Sequence, residues 1–300
     1  MEKSKEFKKK VIALIAITLT SIFWGYSFIS TKILLAELPP ISIAFFRQVI
    51  ASIVMVVIML FSKSFKKMTK RDLILLAIAS FFGVVLYFVF ENIGLKYTTA
   101  SNASIIVAAV PIFTLVTESI FYKLKITIKL IICVALSVAG VFMVILEQGS
   151  LDLSSSTLKG NILMLLAMMA WVVYTIISKG LTSRYTGLLL TTYQMIVSSI
   201  LFIPFIIHEV PKWHTISTSA MLNLLYLSVF CSALAYYLYN LAVKELGATI
   251  TTMFLNLIPV VTIIGGILVL DESISGLQIG GMAIIIASLF IVNSKKNNKK

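Results

Sequence analysis

Ten stretches of about 20 mostly apolar residues follow one another along this chain, near residues 11–34, 41–62, 72–91, 98–119, 127–146, 159–181, 187–208, 216–240, 247–270 and 275–293. At 1.5 Å per residue, such a stretch as a helix matches a hydrocarbon core about 30 Å thick. Lipid offers no water to backbone N–H and C=O groups, so each stretch must satisfy its own hydrogen bonds as a helix. Only 12% of the 300 residues are charged, against about 25% in a soluble domain. The expected fold class is therefore all-α integral membrane, with ten transmembrane helices and no soluble domain of useful size. Basic residues precede the first stretch, as in a signal peptide, but it runs on through Trp24 and Tyr26 to Lys32 without a small-residue cleavage site. It reads as a retained span.

Charge sets the orientation. With the N-terminus inside, 20 Lys and Arg fall on the cytoplasmic side: Lys3, Lys5, Lys8, Lys9, Lys10, Lys63, Lys66, Lys67, Lys70, Arg71, Lys123, Lys125, Lys129, Lys179, Arg184, Lys244, Lys295, Lys296, Lys299 and Lys300. The other side holds four, Lys32, Lys96, Lys159 and Lys212, and Arg47 lies within a span. This is a strong positive-inside bias, and it predicts N-in/C-in topology with an even number of spans. The net charge of +13 thus belongs to membrane orientation and to anionic lipid headgroups, with no nucleic acid partner.

The chain also repeats itself. Trp24 to Lys32 reads W-G-Y-S-F-I-S-T-K and Trp171 to Lys179 reads W-V-V-Y-T-I-I-S-K, and 171 minus 24 is 147. The same offset pairs Arg47 with Gln194. One residue more pairs Asn92 with Asn240, Lys96 with Lys244 and Pro111 with Pro259. Ten spans give five per copy, and five is odd, so the second copy enters the membrane from the opposite face. The predicted organisation is a basic cytoplasmic tail (1–10), a five-span repeat (11–146), an external linker (147–158), an inverted five-span repeat (159–293) and a second basic tail (294–300). Inverted repeats around a midplane site are the architecture of carriers that open to each side in turn.

Polar residues inside lipid are costly and mark function. Arg47 lies about 9 Å into the second span. It either snorkels outward or anchors an anion through its guanidinium fork, with Gln194 as the uncharged counterpart. Trp24, Ser27, Phe28 and Thr31 share one helical face, as do Trp171, Tyr174, Thr175 and Ser178. These aromatic and hydroxyl stripes suit either a pocket for an amphipathic solute or ordinary packing. Tyr87, Tyr236 and Tyr237 add hydroxyls, and Asn102 and Asn256 are polar within apolar runs, so both are candidates for the same cavity. Glu91 is the candidate for proton coupling, with Glu118 a weaker one. Asn92 and Asn240 cap or bridge helix ends, and Pro111 and Pro259 kink their spans and are candidate gates.

Other chemistries are not encoded. There is no phosphate-binding G-x-x-x-x-G-K-[ST], no G-x-S-x-G and no H-E-x-x-H. His208, Glu209 and His214 lie at one predicted loop with no further ligand to complete a metal set. Cys133 and Cys231 sit in different halves, as packing residues. No metal or cofactor is expected, and no enzyme.

The W-G-Y-S-F opening and the Asn-bearing ends of the third and eighth spans resemble those of a known family. So do K-Y-T-T-A-S-N-A-S-I-I-V-A-A-V-P at 96–111, K-E-L-G-A-T-I-T-T-M-F-L-N-L-I-P at 244–259 and D-E-S-I-S-G-L-Q-I-G-G at 271–281. On these the chain resembles the drug/metabolite transporter superfamily, specifically its EamA-type members, over all ten spans. The first half departs from the pattern, with Lys123-Leu124 where the second has Asp271-Glu272. The resemblance implies a ten-helix inverted-repeat carrier, often exporting amino acids or other small metabolites by alternating access. Expected partners are a small-molecule solute, membrane lipids and a coupling proton, and the expected location is the plasma membrane of a bacterium. The alternative is a non-transporting membrane partner or a lipid-handling membrane protein.

Overall fold

The computed structural model describes residues 2–62, 66–121, 127–145, 156–213 and 215–293, and all regular structure among them is helical. The first span is a continuous helix, α1 (Glu2–Leu34), and α2 (Pro40–Ser62) follows. The third is α3 (Lys70–Ser80) and α4 (Tyr87–Tyr97), joined by a π-helical segment, Phe81–Leu86. The fourth is split into α5 (Ala100–Val107) and α6 (Val110–Phe121), and α7 (Ile128–Ile145) completes the half.

The second half repeats these breaks. It has α8 (Ser156–Thr182), α9 (Gly187–Ile206), then α10 (Thr218–Tyr226) and α11 (Ala235–Leu246) around a π-helical segment, Leu227–Leu234. The split helix recurs as α12 (Ala248–Phe254) and α13 (Leu257–Leu270), and α14 (Gly276–Asn293) closes the chain.

Among the described residues, eight helical spans are long and apolar enough to cross a membrane, and α7 and α14 contain shorter apolar stretches. Their outward side chains are apolar, Phe61 and Leu268 among them at 85% and 76% exposed, a surface suited to lipid rather than water. Where α7 meets α14, a Cβ on Gly140 would lie 2.7 Å from the Gly281 carbonyl. Only hydrogen at that position allows the two backbones to approach so closely.

Residues 2–10 are helical and continuous with α1, and Ser156 to Leu158 form the first residues of α8. Residues 147–155 and 294–300, with Lys63, Lys123, Lys125 and His214, lie outside the described residues.

The breaks have a local cause. Pro111 and Pro259 carry no N–H, so the carbonyls four residues earlier, Val107 and Leu255, lose their α-helical partner. The chain tightens there, with the Ala109 N–H on the Ile106 carbonyl (3.1 Å) and the Ile258 N–H on the Leu255 carbonyl (2.9 Å). The π-helical segments lie at matching places in the third and eighth spans, and such segments redirect backbone carbonyls.

Helices of one half pack mainly on helices of the other: α4 on α8, α1 on α11 and α13, α2 on α9, and α7 on α14. Two residue pairs separated by the repeat offset touch each other. The Trp24 and Trp171 ring centroids lie 5.0 Å apart, and the Ser52 and Ser199 hydroxyls lie 3.1 Å apart.

Three carboxylates fasten the halves at one end. Glu37 accepts from the Ser217 N–H and hydroxyl (2.7 and 2.6 Å). Glu209 accepts from the Ile41 and Ser42 N–H groups (3.2 and 2.6 Å). Glu272 accepts from the Ala100 and Ser101 N–H groups (2.8 and 3.0 Å) and the Ser101 hydroxyl (2.6 Å). Each meets the positive end of a helix dipole. The acidic turn at Asp271-Glu272, which has no like-charged counterpart in the first half, serves that half through Glu272, which caps α5. Glu272→Ala should lower stability by about 1–2 kcal/mol, read as a lower unfolding midpoint in detergent. At the other end Asp72 meets Arg184 and Tyr185, and Glu118 meets Lys179.

Candidate functional site

The aromatic stripes of α1 and α8 meet in the centre of the bundle. Trp24 and Trp171 cross almost at right angles, at 85°. Tyr236 packs against both, at 5.6 and 5.7 Å between centroids, and Tyr87 lies 5.3 Å from Trp171. Edge-to-face pairs like these add about 0.5–1.5 kcal/mol each beyond simple burial. The rings, with Ser27, Phe28, Phe88, Val107, Leu255 and Ile258, enclose a small cavity. Its free space for the centre of a water is about 20 Å³, enough for about one water. The two residues that lost a helical partner to proline, Val107 and Leu255, thus line the site.

Two charged side chains enter this apolar cage. Arg47 is 1% exposed, so it does not snorkel. Its Nε donates to the Ser232 hydroxyl at 2.9 Å, and its guanidinium carbon stands 4.1 Å over the Phe88 ring. Ser232 lies in the π-helical segment of the eighth span. Among the described residues Arg47 makes no ion pair, and its terminal nitrogens have no hydrogen-bond partner.

Glu91, also buried, accepts from the Tyr87 hydroxyl at 3.1 Å through Oε1, while Oε2 has no partner. Cation and carboxylate line one cavity without closing on each other. The two attract each other across the cavity without contact, and a buried donor or acceptor left without a hydrogen bond costs about 1–3 kcal/mol. A ligand bringing a carboxylate to Arg47 and an ammonium to Glu91 relieves both.

Other expected site residues lie elsewhere. Tyr174 packs behind Trp171, with centroids 4.8 Å apart, and donates to Gln194 Oε1 at 3.3 Å. Tyr174 and Gln194 therefore support the cage from outside the cavity wall. Tyr237 is not in the central cavity; it lines a separate apolar cleft with Val54, Met55, Ile58 and Leu188. A one-residue step along a helix turns a side chain by about 100°, which puts Tyr236 in the cage and Tyr237 out of it.

Asn102 accepts from Gln278 Nε2 at 2.6 Å and donates to Thr98, tying α5 to α14 away from the cavity. Asn256 stands half-buried in the break between α12 and α13 and also lies off the cavity. Asn92 donates to the Pro40 carbonyl (2.8 Å) and Asn240 to the Thr191 hydroxyl (3.1 Å), so both bridge helices. Glu118 pairs with Lys179 at the bundle end.

Phe88 and Ser232 were not expected. The repeat offset could have found Phe88, which sits opposite Tyr236, whereas Ser232 has only an apolar counterpart, Val84.

Gly83 makes room for the second shell of rings. A Cβ there would lie 2.2–2.5 Å from atoms of Tyr174, and the clash involves the root of the ring rather than a movable tip. Gly83→Ala should cost about 1–3 kcal/mol, seen as a lowered unfolding midpoint.

Comparison with known proteins gives one consistent picture. A model described as the EamA-like transporter family matches residues 11–146 and 158–294. An uncharacterized transporter of Archaeoglobus fulgidus is 30% identical over 94% of this chain and 97% of its own length. The uncharacterized transporter YetK of Bacillus subtilis is 26% identical over 96% and 89%. A protein of Streptantibioticus cattleyicolor named "Probable terminal-alkyne amino-acid exporter" is 25% identical over 93% of each chain. A solved crystal structure superposes with a TM-score of 0.69 at 16% identity, covering 96% of this chain and 98% of the other, and so shares the fold. Multi-pass, all-helical and matched across both halves, this chain belongs to the EamA-like transporter family.

Proposed function

We propose that the protein is a secondary transporter that exports an amino acid or similar amphipathic metabolite across the plasma membrane. In this reading ten spans form two inverted five-helix repeats, N-in/C-in, and the cage between them opens to each side in turn. The observation that carries it is a buried cation and a buried carboxyl group, Arg47 and Glu91, that share an aromatic cavity built by both halves without closing into an ion pair. Support for an internal two-fold comes from the repeat-related pairs that touch, Trp24 with Trp171 and Ser52 with Ser199.

The small cavity fits a closed form, in which a solute would enter only when the halves part. Pro111 and Pro259, at the breaks that place Val107 and Leu255 against the cavity, are the proposed gating points. The amino-acid reading draws on the charge pair and on the name of the Streptantibioticus relative.

Purified protein reconstituted in liposomes tests it with a set of labelled amino acids, a labelled nucleoside and a labelled organic cation. Saturable flux of an amino acid is expected. Flux of none of them, with correctly inserted protein, sinks the reading. Labelling of single cysteines placed at residues 5 and 298 tests the topology, because both should react from the cytoplasmic face only.

A further inference from the structure

The two helices that carry the central tryptophans each bear a lysine at the same spacing. Lys32 lies eight residues past Trp24, and Lys179 eight past Trp171, about 12 Å farther along each helix. The helices run in opposite directions. The start of α8 is tied to Thr98, whose hydroxyl donates to Asn161 Oδ1 at 2.6 Å, and Thr98 adjoins the α5 terminus that Glu272 caps. Lys32, near the end of α1, is at this same end of the bundle, because Glu272 attracts it. The two lysines therefore flank the cavity from opposite ends.

Lys179 forms a 2.7 Å ion pair with Glu118 of α6. As α6 packs on α8, so α13 packs on α1. The residue of α13 that matches Glu118 is Gly266, since 266 minus 118 is 148. Glycine has no carboxylate, and the next turn supplies one. Asp271 takes the left-handed conformation (φ 53°), which its short polar side chain tolerates. The Glu272 N–H then bonds back to the Gly266 carbonyl at 3.0 Å. This folds Glu272 over Gly266, where an added Cβ would meet its Oε2 at 2.9 Å. A carboxylate thus stands at the repeat-related place. It attracts half-buried Lys32, with no ion-pair contact between them among the described residues.

We propose that these two sets of charges are the gates of the carrier. Glu118 with Lys179 holds the cytoplasmic end shut. Glu272, bound to the first N–H groups of α5 and attracted by Lys32, holds the external end shut. In each set a carboxylate from one half meets a lysine of the other, so the contact breaks when the halves part at that end. The cavity between them, with room for about one water, is closed from both sides while both sets are engaged. The assignment rests on the transport reading above and adds to it the residues that decide which side opens.

The test labels a cysteine in the cavity wall from each face of the membrane. In a background of Cys133→Ala and Cys231→Ala, Ser27→Cys places one thiol there. Full-length protein in right-side-out and in inside-out vesicles is treated with a membrane-impermeant maleimide. Glu118→Gln should raise the labelling rate about fivefold or more from the cytoplasmic face and leave the external rate unchanged. Lys32→Ala and Glu272→Gln should do the reverse. Exchange of the inner charges, Glu118→Lys with Lys179→Glu, should return labelling towards the parent rate.

A fold that has only loosened raises labelling from both faces, and that result overturns the proposal. So does an unchanged rate in all three single variants, or a charge exchange that restores nothing. Opposite shifts with the faces exchanged keep the gates and reverse the topology. Absence of flux for every solute in liposomes counts against the carrier reading instead. The labelling needs no solute, so it still decides whether the two ends open separately.

Discussion

Arg47→Ala, correctly inserted and monodisperse, is expected to reduce solute flux in liposomes by about 30-fold or more. The size follows from the site. A guanidinium without an ion partner in an apolar cage binds an incoming carboxylate by charge-assisted hydrogen bonds, and truncating one partner of such a buried pair costs about 2–5 kcal/mol. Every 1.4 kcal/mol is tenfold, so the lower bound corresponds to a loss of about 30-fold. Arg47→Lys should recover part of the activity and remain about 10-fold below wild type. It restores a positive charge but not the planar fork that meets two carboxylate oxygens together. It also loses the Nε contact to Ser232, which holds the fork in place. Stability should move less than transport, because among the described residues Arg47 has no carboxylate partner to be stranded by its removal. Undiminished flux in Arg47→Ala would falsify its place in the site.

The helices were legible because lipid leaves the backbone so few choices. The apolar runs became helices, and Pro111 and Pro259 split their spans at matched positions. The cage was partly legible. The spacing of Trp24, Ser27 and Phe28 describes one helical face, and the repeat offset pointed to the matching face on α8, so the meeting of Trp24 with Trp171 followed. What the sequence could not decide is which face of each remaining helix turns inward. Tyr236 and Tyr237 are adjacent and chemically alike, yet only the rotation of α11 against α1 puts the first in the cage. Asn102 looked like a cavity residue because it is polar within an apolar run, but Gln278, 176 residues away, satisfies it. The π-helical segments left no sequence mark either. Ser232 looks like an ordinary small residue until the bulge turns it towards Arg47.

Glu91→Gln is expected to abolish accumulation driven by a pH gradient while leaving solute exchange at equilibrium gradients. Glu91 is buried, holds the Tyr87 hydroxyl with one oxygen and has no partner for the other. It stands in the cavity that the solute would occupy. A carboxylate there can meet the solute's ammonium when charged, or take up a proton and become neutral when the site is empty, so proton and solute compete for one group. That competition is what couples opposing flows of the two. Coupling to one proton supports about tenfold accumulation per pH unit across the membrane, since a pH unit is worth about 1.4 kcal/mol. Glutamine has the same shape and can still accept from Tyr87, so the cage should stay intact, but it cannot exchange a proton. With one pH unit imposed, wild-type liposomes should therefore reach about a tenfold solute ratio, and Glu91→Gln liposomes should stop near equality. Tyr87→Phe removes only the hydroxyl that steadies Oε1 and should keep a reduced gradient-driven ratio. If Glu91→Gln accumulates solute as wild type does, the coupling proton binds elsewhere, and Glu91 is left with recognition of the ammonium alone.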